Sequence, residues 1–159
     1  LKDEIILLIA GNSKSKDYLR HIKDQIEHST LNRQIIAHIR FIQDEEIERY
    51  FMAADCIILP YREIYQSGVL FLAYNFGLPA LATKVGNFEN DILPGKTGFL
   101  IDEIEVISMA EAITEYFKSP LYQNLPENRN NIRKWAYDQF SWELIGQETY
   151  NLYQNQFNR

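Results

Sequence analysis

Apolar residues follow two rhythms along this chain. Residues 5–10 form an unbroken apolar run of strand length that stops at Gly11-Asn12-Ser13, and such runs suit a strand buried on both faces, as in a parallel sheet. Tyr18, Leu19, Ile22 and Ile26 then recur at helical spacing behind Ser15, a residue fit to cap a helix over 16–29. Residues 34–39 read as a second strand. Asp44-Glu45-Glu46 opens a helix with Ile47, Tyr50, Phe51 and Ala54 on one face, its acids matching the positive end of the dipole. A third strand, 56–59, runs into Pro60, a polar loop, a small-residue turn at Ser67-Gly68 and an apolar helix ending at Gly77.

The alternation continues with a strand at 79–83, a loop at Gly86, and a short turn or helix over 88–93. Lys96-Thr97-Gly98 then introduces a fifth strand at 99–101. Helical stripes follow: Val106, Met109, Ala110, Ile113 and Phe117; then Ile132, Trp135, Ala136 and Phe140; then Trp142, Ile145, Leu152 and Tyr153. Residues 120–130, rich in Asn and Pro, read as the longest loop. Strands alternating with helices call for an α/β domain of three layers, with a parallel sheet of about five strands and C-terminal helices. No repeat or linker divides the chain, so 1–159 reads as a single Rossmann-like domain.

Composition narrows the function. The 159 residues are 46% hydrophobic and 24% charged, which suits a globular domain with a real core. The 16 basic and 22 acidic residues leave a net charge of −6 without a basic cluster, which argues against a nucleic-acid or anionic-membrane surface. Any bound anion must be held by local donors. Cys56, the single cysteine, lies in an apolar strand and reads as a buried small hydrophobe. The longest apolar run is too short to span a bilayer, and Asp3-Glu4 does not fit a signal peptide. A start at Leu1, directly before a strand, reads as a piece of a longer protein.

Ligands of parallel sheets bind at the carboxyl ends of the strands, here the loops at 11–15, 40–43, 60–68 and 83–90. The strand, glycine-containing loop and helix around Ser67-Gly68 can hold a phosphate, because first-turn amides lack intrahelical partners and the dipole adds positive charge. His21, His28 and His38 are scattered and make no zinc spacing. There is no Walker sequence, no strand-coupled G-x-G-x-x-G and no G-x-S-x-G, so Ser67 reads as a cap or a phosphate ligand rather than a nucleophile. A phosphate-sensing or receiver-like module is an alternative of another class. Against it, Gly11-Asn12-Ser13 stands where such a module needs an acidic magnesium cluster.

From Phe41 to Ile101 the chain resembles the C-terminal, nucleotide-sugar-binding domain of GT-B type glycosyltransferases, in the large retaining group called family 4. The resemblance is carried by Asp44-Glu45-Glu46-Ile47, the run from Ala53 through Asp55 to Pro60, Ser67-Gly68-Val69-Leu70, the run from Gly77 through Pro79 to Thr83, Val85-Gly86, and Gly95-Lys96-Thr97-Gly98-Phe99-Leu100. Phe140-Ser141-Trp142 is similar to the family's closing-helix signature.

The resemblance implies the C-terminal half of a GT-B fold, with this chain a fragment of a two-domain enzyme whose absent N-terminal domain supplies the acceptor pocket. The longer protein would transfer a hexosyl unit from a nucleoside-diphosphate sugar to a polysaccharide or glycolipid, with retention, and the chain alone would be inactive. Ser67, Gly68 and Val69 match the positions whose amides face the donor phosphates, and Arg62 is a candidate phosphate contact. Glu63 lies near the acid that contacts the transferred sugar and is the candidate catalytic residue. Gly11, Arg40, Phe41 and Leu72 fall to the nucleotide. No metal and no cofactor are implied. A cytoplasmic location follows, with any peripheral contact to the inner membrane face left to the absent domain. Two departures stand out: Leu72 occupies the place of the ribose-binding acid, and Glu63 is one residue out of register, Ile64 being the aligned position. They leave open a non-catalytic copy of the fold serving as an interaction domain.

Overall fold

The computed structural model describes residues 5–157. The start at Leu1 and the Asp3-Glu4 pair lie outside that range. The elements in chain order are β1 (Leu7–Gly11), α1 (Lys16–Glu27), β2 (Ile35–Ile39), α2 (Asp44–Ala53), β3 (Ile57–Leu59), α3 (Gly68–Asn75), β4 (Ala80–Thr83), α4 (Phe88–Asp91), β5 (Gly98–Ile101), α5 (Val106–Lys118), α6 (Pro120–Gln123), α7 (Leu125–Phe140) and α8 (Trp142–Phe157). The five expected strands are present and every pairing is parallel. They hydrogen-bond as a pair, β1-β2, and a triplet, β3-β4-β5. The chain forms two compact units that divide between Ala54 and Asp55.

In the first unit β1 and β2 pair in register from Leu7 opposite Ile35 to Gly11 opposite Ile39. Ser15 caps α1 as expected, its hydroxyl accepting from the Tyr18 amide at 3.2 Å. The expectation that the first strand is buried on both faces is corrected: no described residue before Asp55 is fully buried, and Leu7 and Ile36 are more than two-fifths exposed. Two paired strands and two helices do not enclose a core by themselves.

The second unit holds the core. Leu59 of β3, Leu81 of β4 and Ile101 of β5 meet Leu70 and Tyr74 of α3, Phe88 of α4, Tyr116 of α5 and Ile132 of α7 in one buried cluster. Helix α3 ends in a Schellman motif: the Leu78 amide donates to the Ala73 carbonyl and the Gly77 amide to the Tyr74 carbonyl, both at 2.9 Å. Gly77 has φ +66°, and a Cβ there would run into the backbone of Arg129 in α7. An aromatic seam joins the same two helices, with Phe71 on Phe140 and Tyr74 on Trp135.

The long loop expected over 120–130 is helical. Ser119 caps α6, with Pro120 at its first position, where a missing amide costs nothing. Only Asn124 separates α6 from α7, and the Asn128 amide group donates to the carbonyls of Pro120 and Leu121. Polar composition suggested a loop, but these side chains satisfy helix ends. The apolar stripe of α8 is solvent-facing, Trp142, Leu152 and Tyr153 being largely exposed. No helix among the described residues is long and apolar enough to cross a membrane.

Candidate functional site

The carboxyl ends of β3, β4 and β5 open onto three loops. The first, 60–67, is held from the second. The Thr83 hydroxyl donates to the Tyr61 carbonyl at 2.6 Å, the Asn87 amide donates to the Tyr65 carbonyl at 3.2 Å, and the Phe88 ring stacks on Tyr61. Gly86, at φ +58°, lets its backbone pass against the Ile64 carbonyl, where any Cβ would collide. The glycine recognised in the sequence is therefore demanded both by conformation and by close approach. A cleft of about 400 Å³ lies at this junction, lined by Tyr65, Gln66, Gly86 and Asn87.

Helix α3 begins beside this cleft. Ser67 is buried, and its hydroxyl accepts from the Leu70 amide at 3.3 Å, so it serves as the N-cap. That leaves the first-turn amides of Gly68 and Val69 to whatever approaches. Both residues are exposed, and a Cβ at Gly68 would meet nothing within 4 Å. Here glycine is not required by crowding or by positive φ. Its effect is to leave the helix mouth open to an anion. Arg62 and Glu63 are exposed in the same loop. Leu72 is half-buried on the second turn of α3, where an apolar side chain offers no hydrogen bond.

The remaining expected residues belong to the first unit. Gly11 ends β1 at φ +140°, a backbone setting that favours glycine. Phe41 is two-thirds exposed. The Arg40 guanidinium forms a fork on Glu46, at 2.7 and 2.6 Å, and also donates to the Phe41 carbonyl. Glu46 accepts from the Gln43 amide as well. The Arg40 contact, followed by the Gln43 hydrogen bond, holds its carboxyl down at about 2. Arg40 thus braces the start of α2.

Three residues that sequence reasoning passed over enter the site's frame. Lys84, directly after β4, pairs with Glu89 at 3.2 Å and Asp102 at 3.7 Å, tying together the loops that follow β4 and β5. Asn87 joins two loops, and Asp91, at the end of α4, is a buried acid. The Cys56 thiol is pushed up to about 12, first by burial and then by the Asp55 charge, and so stays protonated. No cluster of three or more His, Cys, Asp or Glu suited to a metal ion occurs among the described residues.

The sequence model of the family described as "Glycosyl transferases group 1" matches residues 1–119. The chain belongs to this family. Among curated members, an uncharacterized glycosyltransferase of Methanocaldococcus jannaschii is 24% identical over 149 residues, covering 92% of this chain and 36% of that protein. Two solved structures share the fold. Anabaena HepE in complex with UDP-glucose superposes with a TM-score of 0.78 at 20% identity, over 96% of this chain and 41% of that one. Sucrose-phosphate synthase from Thermosynechococcus elongatus gives 0.77 at 22%, over 96% and 38%. The chain thus spans roughly two-fifths or less of the length of these three proteins.

Proposed function

We propose that this chain binds a nucleoside-diphosphate sugar and forms the donor side of a longer, two-domain glycosyltransferase. The observation that carries this is the start of α3: a helix capped by Ser67, whose first residues Gly68 and Val69 are exposed and where a Cβ at Gly68 would meet nothing within 4 Å, at the carboxyl edge of a parallel sheet. Family membership and the fold shared with HepE, solved with UDP-glucose, support it. The diphosphate lies at the helix mouth, with the exposed Arg62 of the preceding loop as a cationic contact. The sugar extends into the cleft lined by Tyr65, Gln66, Gly86 and Asn87, with Glu63, exposed in the same loop as Tyr65 and Gln66, as the carboxylate that meets it.

This division suits the chemistry. Glycosyl transfer builds negative charge on the leaving diphosphate and positive charge on the sugar ring, so amides and a guanidinium belong at one end and a carboxylate at the other. The transferred unit is a hexosyl group, passed with retention to a polysaccharide or glycolipid acceptor held by the N-terminal domain of a cytoplasmic enzyme. The donor is a substrate, and neither cofactor nor metal takes part in this domain. By itself the chain binds donor without turning it over. A second reading, a copy of the fold that transfers nothing, is favoured by Leu72, which cannot grip a ribose hydroxyl. Transfer by the longer protein would exclude it.

Gly68→Asp tests the helix mouth. An acid at the first helical position stabilises a helix by roughly 0.3–1 kcal/mol, so the variant should be at least as stable as the parent. It should nonetheless bind UDP, GDP or ADP, whichever the parent binds, at least about tenfold more weakly, through like-charge repulsion. Unchanged affinity would refute the site.

A further inference from the structure

Asp91 is out of place by stability alone. It closes α4 between the fully buried Phe88 and Ile92, and is itself only 3% exposed. One carboxyl oxygen, Oδ2, is buried with no hydrogen-bond partner, a condition that costs about 1–3 kcal/mol and more when the group is charged. Burial accordingly pushes its carboxyl up, against the opposing hydrogen bond from Asn87. A leucine, with the same branching and no polar atoms, would be the more stable choice in such a setting. The other oxygen, Oδ1, accepts from the Asn87 amide group at 2.7 Å.

Asn87 is the hinge of the matter. Its backbone N–H donates to the Tyr65 carbonyl, its side-chain oxygen accepts from Asn90, and its side-chain nitrogen donates to Asp91. Tyr65, Gln66, Gly86 and Asn87 are the lining of the cleft. The carboxylate therefore fixes the orientation of the residue that pins one wall of the cleft to the other. Asp91 is anchored in turn from α3: the Tyr74 hydroxyl donates to its carbonyl at 2.9 Å.

We propose that Asp91 is a positioning residue, holding Asn87 so that the loop after β4 clamps the loop after β3 and fixes the shape of the cleft. Its role in donor binding rests on the function proposed above; its role in holding the loop does not. The two are separated by using the 159-residue chain with Asp91→Leu and Asp91→Asn, the second keeping an acceptor oxygen for Asn87.

Amide hydrogen exchange without ligand reads the clamp. In Asp91→Leu the Asn87 amide should exchange on the order of tenfold faster, as one lost hydrogen bond implies. Amides of β4 should be unchanged and the melting temperature no lower. Asp91→Asn should restore Asn87 to near the parent rate. Unaltered exchange at Asn87 in Asp91→Leu, or equal acceleration through β4, would overturn the proposal. Binding of UDP-glucose, GDP-mannose and ADP-glucose, each against its bare diphosphate, reads the consequence. For whichever pair binds the parent, Asp91→Leu should weaken the sugar nucleotide by roughly tenfold and leave the diphosphate unaffected. Equal affinity of parent and variant for the sugar nucleotide would remove Asp91 from the donor cleft. If none binds the parent, the donor reading fails while the exchange result still decides the clamp.

Discussion

Gly86 and Gly68 show how differently two glycines in one site can be used. At Gly86 the backbone has φ +58° and the missing Cβ is replaced by the Ile64 carbonyl; at Gly68 neither constraint exists. Gly86→Ala should therefore lower stability by about 2 kcal/mol or more, while Gly68→Ala should be neutral or slightly stabilising because alanine is the better helix former. Urea denaturation of both variants checks the contrast; equal effects would mean that the loop after β4 does not press on the loop after β3. The same scale shows what was legible in the sequence. Ser67 as a cap could be read directly, since capping depends on a residue and the amide three positions on. Asp91 could not be, because its burial and its contact with the Tyr74 hydroxyl, seventeen residues away in the chain, arise only once the chain has folded. The family resemblance gives Arg40 to the nucleotide, and its fork on Glu46, six residues away, is a structural contact that neither the resemblance nor the strand pattern reveals.

Helix α4 has a single turn and little propensity of its own, so it depends on α3. The Tyr74 hydroxyl donates to the Asp91 carbonyl, one of the carbonyls a helix end leaves unpaired. With its proton used there, its oxygen accepts from the Thr97 hydroxyl at 3.1 Å, and Thr97 accepts from the Leu93 amide. Tyr74→Phe should thus cost about 1–2 kcal/mol, seen as a lowered denaturation midpoint, and should speed exchange at Leu93. A loss at Tyr74 with no change at Leu93 would break this chain of contacts. Most elements were readable from periodicity. The Schellman ending of α3 was too, because glycine followed by an apolar residue and proline encodes it locally. The segment 120–130 reads as a loop in the sequence and folds as helix because Asn and Pro are both loop formers and helix starters. What decides between them is Ser119 capping α6 and Asn128 reaching back to α6, a pairing set by the fold.

At the scale of the whole molecule, the sequence model matching residues 1–119 identifies the family, the strand pairings are all parallel, and most of the core lies in the β3-β4-β5 unit. Composition argues against a nucleic-acid surface by charge, and the burial expected of the first strand is not met because two paired strands leave their faces open. The proposed function rests on one place, the mouth of α3. The most direct measurement is a titration of the uniformly labelled 159-residue chain with UDP, GDP and ADP, followed by amide NMR shifts. Saturable shifts centred on Gly68 and Val69, with Tyr65, Gln66 and Asn87 joining when the matching sugar nucleotide replaces the diphosphate, are the predicted result. No shift at Gly68 and Val69 with any of the three would contradict the account.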